Sequence, residues 1–202
     1  MMLKNFRKGS TPAPFLIVGL GNPDPEFKLN RHNVGFMVLD ELATQLGENF
    51  GRVKFESLIT QAHYKEERLV LAKPRTYMNR SGRAVGALLR FHKLSPDRLM
   101  VIYDDVDLPF DSLRIRPEGG SAGHKGMRSI IETLGTQSFP RLRVGIGKAA
   151  GKMKTPSHVL QDFSAKEQEI LPIVLKDAAE AAFSFVSEGI AEAMNRHNRS
   201  DA

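Results

Sequence analysis

Phe15-Leu16-Ile17-Val18-Gly19-Leu20-Gly21-Asn22-Pro23, followed shortly by Arg31-His32-Asn33-Val34-Gly35, is the stretch on which the reading of this chain turns. The apolar run 15–18 reads as a buried strand and is far too short to cross a bilayer. The glycines after it end the strand and allow a tight turn. Asn22 is therefore expected at the carboxyl end of a strand, where open α/β sheets keep their ligand sites. His32 follows at the start of a predicted helix over 33–46, where Phe36, Leu39, Ala43 and Leu46 recur at helical spacing and Gly47 is a stop. An amide and an imidazole at one sheet edge are groups suited to hold and activate a water.

Outward from there the chain alternates strands and helices. Residues 53–63 and 68–73 read as two strands around Lys65-Glu66-Glu67, and Pro74 ends the second. Ser81 is expected to cap a helix running to about His92. Arg98–Tyr103 is an apolar strand that ends at Asp104-Asp105, and 111–116 is a short strand. A glycine-rich loop, 119–123, leads into a helix over 125–134. Arg141–Ile146 alternates basic and apolar residues, which predicts a strand with one wet face. Residues 147–157 read as a basic loop. Ser164-Ala165-Lys166-Glu167 matches a capping box that opens a helical C-terminal third, with a kink or break expected at Pro172. Six strands interleaved with helices argue for one α/β domain over 15–202, preceded by a flexible basic arm over 1–14.

The chain has 202 residues, no cysteine and a net charge of +6. Disulfides and thiolate metal sites are excluded. Between Arg114 and Lys154 nine Lys/Arg face two acids, an excess of seven against six for the whole chain. So local a basic zone points to a polyanion partner, nucleic acid first. Arg128, Lys148 and Lys152 belong to it, and lysines on a loop suit phosphate contacts without base reading.

Several motifs carry candidate chemistry. If the strands ending at Asn22 and Asp104 are parallel neighbours, Asp104 can orient His32 and stabilise its charged form, with the imidazole as general base. Asp104, Asp105 and Asp107 also form an acidic cluster open to a hard cation, but no second cluster supports a metal. Gly119-Gly120-Ser121-Ala122-Gly123 formally matches G-x-S-x-G, with Asp162 or Asp177 and His197 available to complete a triad. Pro117 and Glu118 stand between the strand and the glycines, which spoils the sharp elbow. The better reading of that loop is a set of backbone amides that meets phosphate together with Lys125 and Arg128. Gly147–Lys152 falls short of a nucleotide-binding loop, and Asp24 replaces the third glycine of a dinucleotide fingerprint.

The runs GLGNP (19–23), RHNVGF (31–36), KPRTYMNRSG (73–82), YDDVDLP (103–109), FPRLRVGIG (139–147) and GKM (151–153) resemble the bacterial-type peptidyl-tRNA hydrolase family, in order and with ordinary spacing from about residue 15 to 195. The resemblance implies a single three-layer α/β domain around a twisted, mixed, mostly parallel sheet. It implies hydrolysis of the ester between a peptide and the 3′ end of tRNA, with His32 as the base and Asp104 as its stabiliser. Asn22 would tell a blocked amino group from a free one. Asn79 and Tyr77 would bind the substrate's end, and Phe27 stands where many members carry Tyr. No metal or organic cofactor is implied, and a monomer acting on the acceptor stem and CCA end, in the cytoplasm or an organelle's stroma or matrix, is expected. The chain departs from the family at 119–126, where Gly-Gly-His-Gly-Gly-His-Asn-Gly is usual: the substrate-binding Asn is Lys125 and one His is Ser121. A second reading is a non-catalytic RNA-binding relative on the same scaffold, active in splicing. A third is an esterase using Ser121.

Overall fold

The computed structural model describes residues 12–149 and 154–198. Seven strands form one sheet in the order β2-β3-β4-β1-β5-β7-β6. They are β1 (Phe15–Gly19), β2 (Arg52–Lys54), β3 (Ser57–Tyr64), β4 (Glu67–Pro74), β5 (Leu99–Asp105), β6 (Leu113–Arg116) and β7 (Arg141–Gly145). The central four, β4, β1, β5 and β7, are parallel; β2, β3 and β6 are added antiparallel at the two sides. The run expected as one strand over 53–63 is a hairpin instead. Phe55 and Glu56 take left-handed backbone angles (φ 50° and 53°) and reverse the chain. Such turns favour Asn and Gly, so this one carries no compositional mark.

The helices are α1 (Val34–Gln45), α2 (Ser81–His92), α3 (Lys125–Leu134), α4 (Thr155–Val159), α5 (Ala165–Glu188) and α6 (Ile190–His197). Alternation along β1 divides the core in two. Ile17 faces α1, α5 and α6, while Leu16 and Val18 face α2 and α3. The result is three layers. No helix among the described residues is long and apolar enough to cross a membrane.

Local chemistry sets the boundaries. The Ser164/Glu167 capping box is formed at the start of α5. That helix runs unbroken through Pro172, contrary to the expected interruption. Pro172 is exposed, so the carbonyl one turn earlier that lacks an N–H partner can turn to water. Ser81 does not cap α2: it is the first helical residue, and its hydroxyl donates to the Met78 carbonyl at 2.9 Å. Part of the presumed loop 147–157 is helical, as α4 begins at Thr155.

The face of β7 expected to be wet is mostly closed. Arg141 is 1% exposed. Its guanidinium donates to the carbonyls of Gly119, Gln137 and Phe139, the second at 2.6 Å, and so holds the glycine-rich loop against the sheet. Arg143 pairs with Asp105 at 2.5 Å. Arg141 is therefore spent inside the fold, and half-buried Arg143 is held against Asp105. At the far edge, the Asn198 side-chain amide accepts from the Ile115 N–H at 2.6 Å and donates to its carbonyl at 3.0 Å.

Two glycines let α1 approach β1 and β5. A Cβ on Gly35 would lie 2.4 Å from the Ile102 carbonyl oxygen and 2.5 Å from the Leu20 nitrogen. One on Gly19 would lie 2.1 Å from the Gly35 oxygen. Backbone atoms cannot swing aside, so the helix would have to move. Gly35→Ala is expected to cost about 1–3 kcal/mol by overpacking, read as a fall in thermal midpoint. It should also push His32 away from its partner. An unchanged midpoint would mean that the close approach is not required.

Candidate active site

Parity along β5 places the key carboxylate. Met100 and Ile102 face α1, so Asp104 emerges on the side where the turn before α1 arrives. That turn, Arg31–Asn33, presents three successive side chains to three partners. The middle one, His32, sets Nδ1 2.7 Å from Asp104 Oδ1. Asn33 holds the Asn22 backbone at both ends: its Oδ1 accepts from the Asn22 N–H at 2.8 Å, and its Nδ2 donates to the Asn22 carbonyl at 2.9 Å. Gly21 leaves room for the Phe36 ring beneath the same loop.

A second imidazole completes the cluster. His124 Nε2 lies 3.0 Å from the same Asp104 oxygen. Its Nδ1 accepts the N–H groups of Gly126 and Met127, at 3.1 and 3.2 Å, which caps α3. An acceptor nitrogen carries no proton, so the His124 proton is on Nε2 and is donated to Asp104. Asp104 has no proton to give in return. His32 therefore donates from Nδ1, and the lone pair on its Nε2 is free on the opposite side of the ring. This set of bonds fixes the tautomer a general base needs. Burial alone would push the Asp104 carboxyl up; the two facing imidazoles outweigh it and hold it well below the usual carboxylate range. Tyr103, beside it, is pushed up to about 12 by burial and stays neutral. Its ring meets His124 edge-on at 5.0 Å.

His32, Asp104 and His124 bring three potential ligand atoms within 4.8 Å of one another. The bonding does not suit a metal, because His124 would have to lose its Nε2 proton while Nδ1 is already occupied. The acidic cluster read from sequence also disperses. Asp105 accepts from Arg143 and from the Asp107 N–H, and Asp107 is exposed.

These groups open on a cavity of about 730 Å³. Asn22, His32, Tyr77, Asn79, Asp104, Ser121 and Lys125 line it, with His124, Tyr103 and one side of α4. Tyr77 is 65% exposed and offers its ring at the rim. Phe27, Arg128 and Lys148 do not line it: Phe27 is half-buried on a short turn, while Arg128 and Lys148 lie exposed elsewhere on the surface. Lys152, like the GKM run, lies outside the described residues, as do residues 1–11 of the expected arm. The Ser121 triad is not assembled. His197 bonds Ser184 at 2.9 Å, on α5 and α6, and lines a separate small cavity.

Comparison with known proteins gives the family. The family model for peptidyl-tRNA hydrolase matches residues 16–202. A peptidyl-tRNA hydrolase of Chloroflexus aggregans is 48% identical over 91% of this chain and 98% of its own. One from Desulforudis audaxviator is 49% identical over 91% of this chain and 92% of its own. The crystal structure of peptidyl-tRNA hydrolase from Acinetobacter baumannii superposes with a TM-score of 0.86 at 32% identity, covering 94% of this chain and 97% of that one. With likeness in sequence and in fold extending over nearly its whole length, the chain belongs to the peptidyl-tRNA hydrolase family.

Proposed function

We propose that this protein hydrolyses the ester that joins a peptide, or an N-blocked amino acid, to the 3′ end of tRNA. The observation that carries the reading is the Asp104–His32 bond, with the free Nε2 on an open cavity. A water on the cavity side gives its proton to Nε2 as its oxygen attacks the ester carbonyl. Asp104 compensates the imidazolium that forms. The proton then passes to the departing ribose oxygen, which leaves as a hydroxyl. An ester expels a better leaving group than an amide, so one base and one positioned water suffice.

Asn22 and Asn79 line the cavity with amides able to donate and accept. Asn22 suits the blocked amino group, and Asn79 with Tyr77 suits the nucleotide end. Lys125 at the rim adds a full charge where an amide is usual in the family, and it favours phosphate. The exposed cations of 114–154 extend that contact along the acceptor stem. The protein would work as a monomer in the compartment of translation.

The test is release of N-acetyl-amino acid from charged tRNA. Wild type and Ser121→Ala should both turn over, since His197, the imidazole that the serine reading requires, bonds Ser184 instead; collapse of Ser121→Ala would favour the esterase. Tight tRNA binding without turnover in the wild type would favour the splicing-type module. Substrate affinity should fall steeply with salt, and Lys125→Asn should reduce the slope of log affinity against log salt by about one. An unchanged slope would remove Lys125 from the phosphate contact.

A further inference from the structure

Arg31 precedes His32 and is 7% exposed. Its backbone N–H donates to the Gln161 carbonyl at 3.0 Å. Its guanidinium donates to the Asp162 carbonyl at 2.5 Å, to Gln161 at 3.4 Å and to Glu167 Oε2 at 2.6 Å. The Phe163 ring lies 5.4 Å from its central carbon. Glu167 Oε2 also accepts the Ser164 N–H at 2.6 Å, so one carboxylate caps α5 and grips Arg31. Asn30 adds a β-bridge to Asp162.

All these bonds fall on 161–167, the segment that leaves α4. Thr155, Pro156, Val159 and Leu160 of that helix and its cap form one wall of the cavity. A five-residue helix has little stability of its own. Among the described residues, the side-chain hydrogen bond from this helix is His158 Nε2 to the Gly147 carbonyl at 3.0 Å.

We propose that Arg31 is a positioning residue: it fixes the α4 wall to the turn that carries His32, so that wall and base face each other across the cleft at a set distance. The inference rests on the hydrolase reading above. Loss of the guanidinium frees the wall while the His32–Asp104 bond stays. Substrate grip then suffers more than the chemical step.

The experiment compares full-length wild type, Arg31→Gln, Arg31→Lys and Glu167→Gln by hydrogen exchange and by kinetics on N-acetyl-aminoacyl-tRNA. In Arg31→Gln, amides of 155–162 should exchange at least about tenfold faster, with β1 and β5 unchanged. KM should rise about tenfold while kcat stays within about threefold. Glu167→Gln should show a weaker form of both effects. Arg31→Lys should recover part of each, since an ammonium can still reach Glu167. Exchange that rises evenly through β1, β5 and α5 would overturn the role, because it marks general loosening. Wild-type turnover with unchanged KM in Arg31→Gln would overturn it too. An inactive wild type would instead overturn the hydrolase reading, and this role with it.

Discussion

His32→Ala is expected to lose roughly 10²–10⁴-fold in turnover, the range a well-placed general base supplies. The residue acts on a proton that moves only as the ester is attacked, so KM should change little. The fold should survive, because Asp104 keeps its bond from His124. A melting curve separates this from loss of folded protein. The deletion also leaves an imidazole-sized space between Asp104 and the cavity. Imidazole added to the assay should restore part of the rate in the variant and leave the wild type unaffected. A variant that retains more than a tenth of wild-type turnover would show that another group takes the proton.

Asp104→Asn should have the second-largest effect, a loss of roughly 10²–10⁴-fold, for two reasons that depend on how the amide sits. With its oxygen in place of Oδ1, both imidazole N–H groups are still received, but the charge that compensates a forming imidazolium is gone. With its NH₂ there, His32 must accept at Nδ1, its proton moves to Nε2, and the base is lost. The same variant tests the electrostatics. The folded-state carboxyl titrates below its unfolded value, so its contribution to stability is complete above about pH 4 and is lost as pH falls through the folded value. Wild-type unfolding in urea should therefore lose stability more steeply than Asp104→Asn below about pH 4. Parallel curves would mean that Asp104 is not held low.

How far the site could be read from sequence differs residue by residue. Asn22 and Asp104 were legible because each follows an apolar run, and the ends of adjacent parallel strands converge. His32 was legible from its place before α1. His124 was not assigned a role, as a glycine-rich loop has no periodicity to aim a side chain. A trace of it was present all the same: a histidine directly before a helix is able to accept the helix's first N–H groups, and that commits its other nitrogen to donate. Arg141 misled for a related reason. Alternation along β7 told which residues share a face but not whether the face is wet. The demand for its guanidinium came from carbonyls far away in the chain, on the loop at Gly119. The β2–β3 turn was hidden because Phe55 and Glu56 adopt angles their side chains do not advertise. Phe27, Arg128 and Lys148 came from family likeness or local charge, neither of which fixes where a side chain sits.

The amide of Asn198 has a consequence beyond its own neighbourhood. β6 is the last strand on its side of the sheet, and an open border of this kind invites a stranger's backbone to continue the ladder. By engaging both the N–H and the carbonyl of Ile115, one side chain imitates the rung that an incoming chain would supply. At Ile115 the border's donor and acceptor are thus already taken before another chain could reach them.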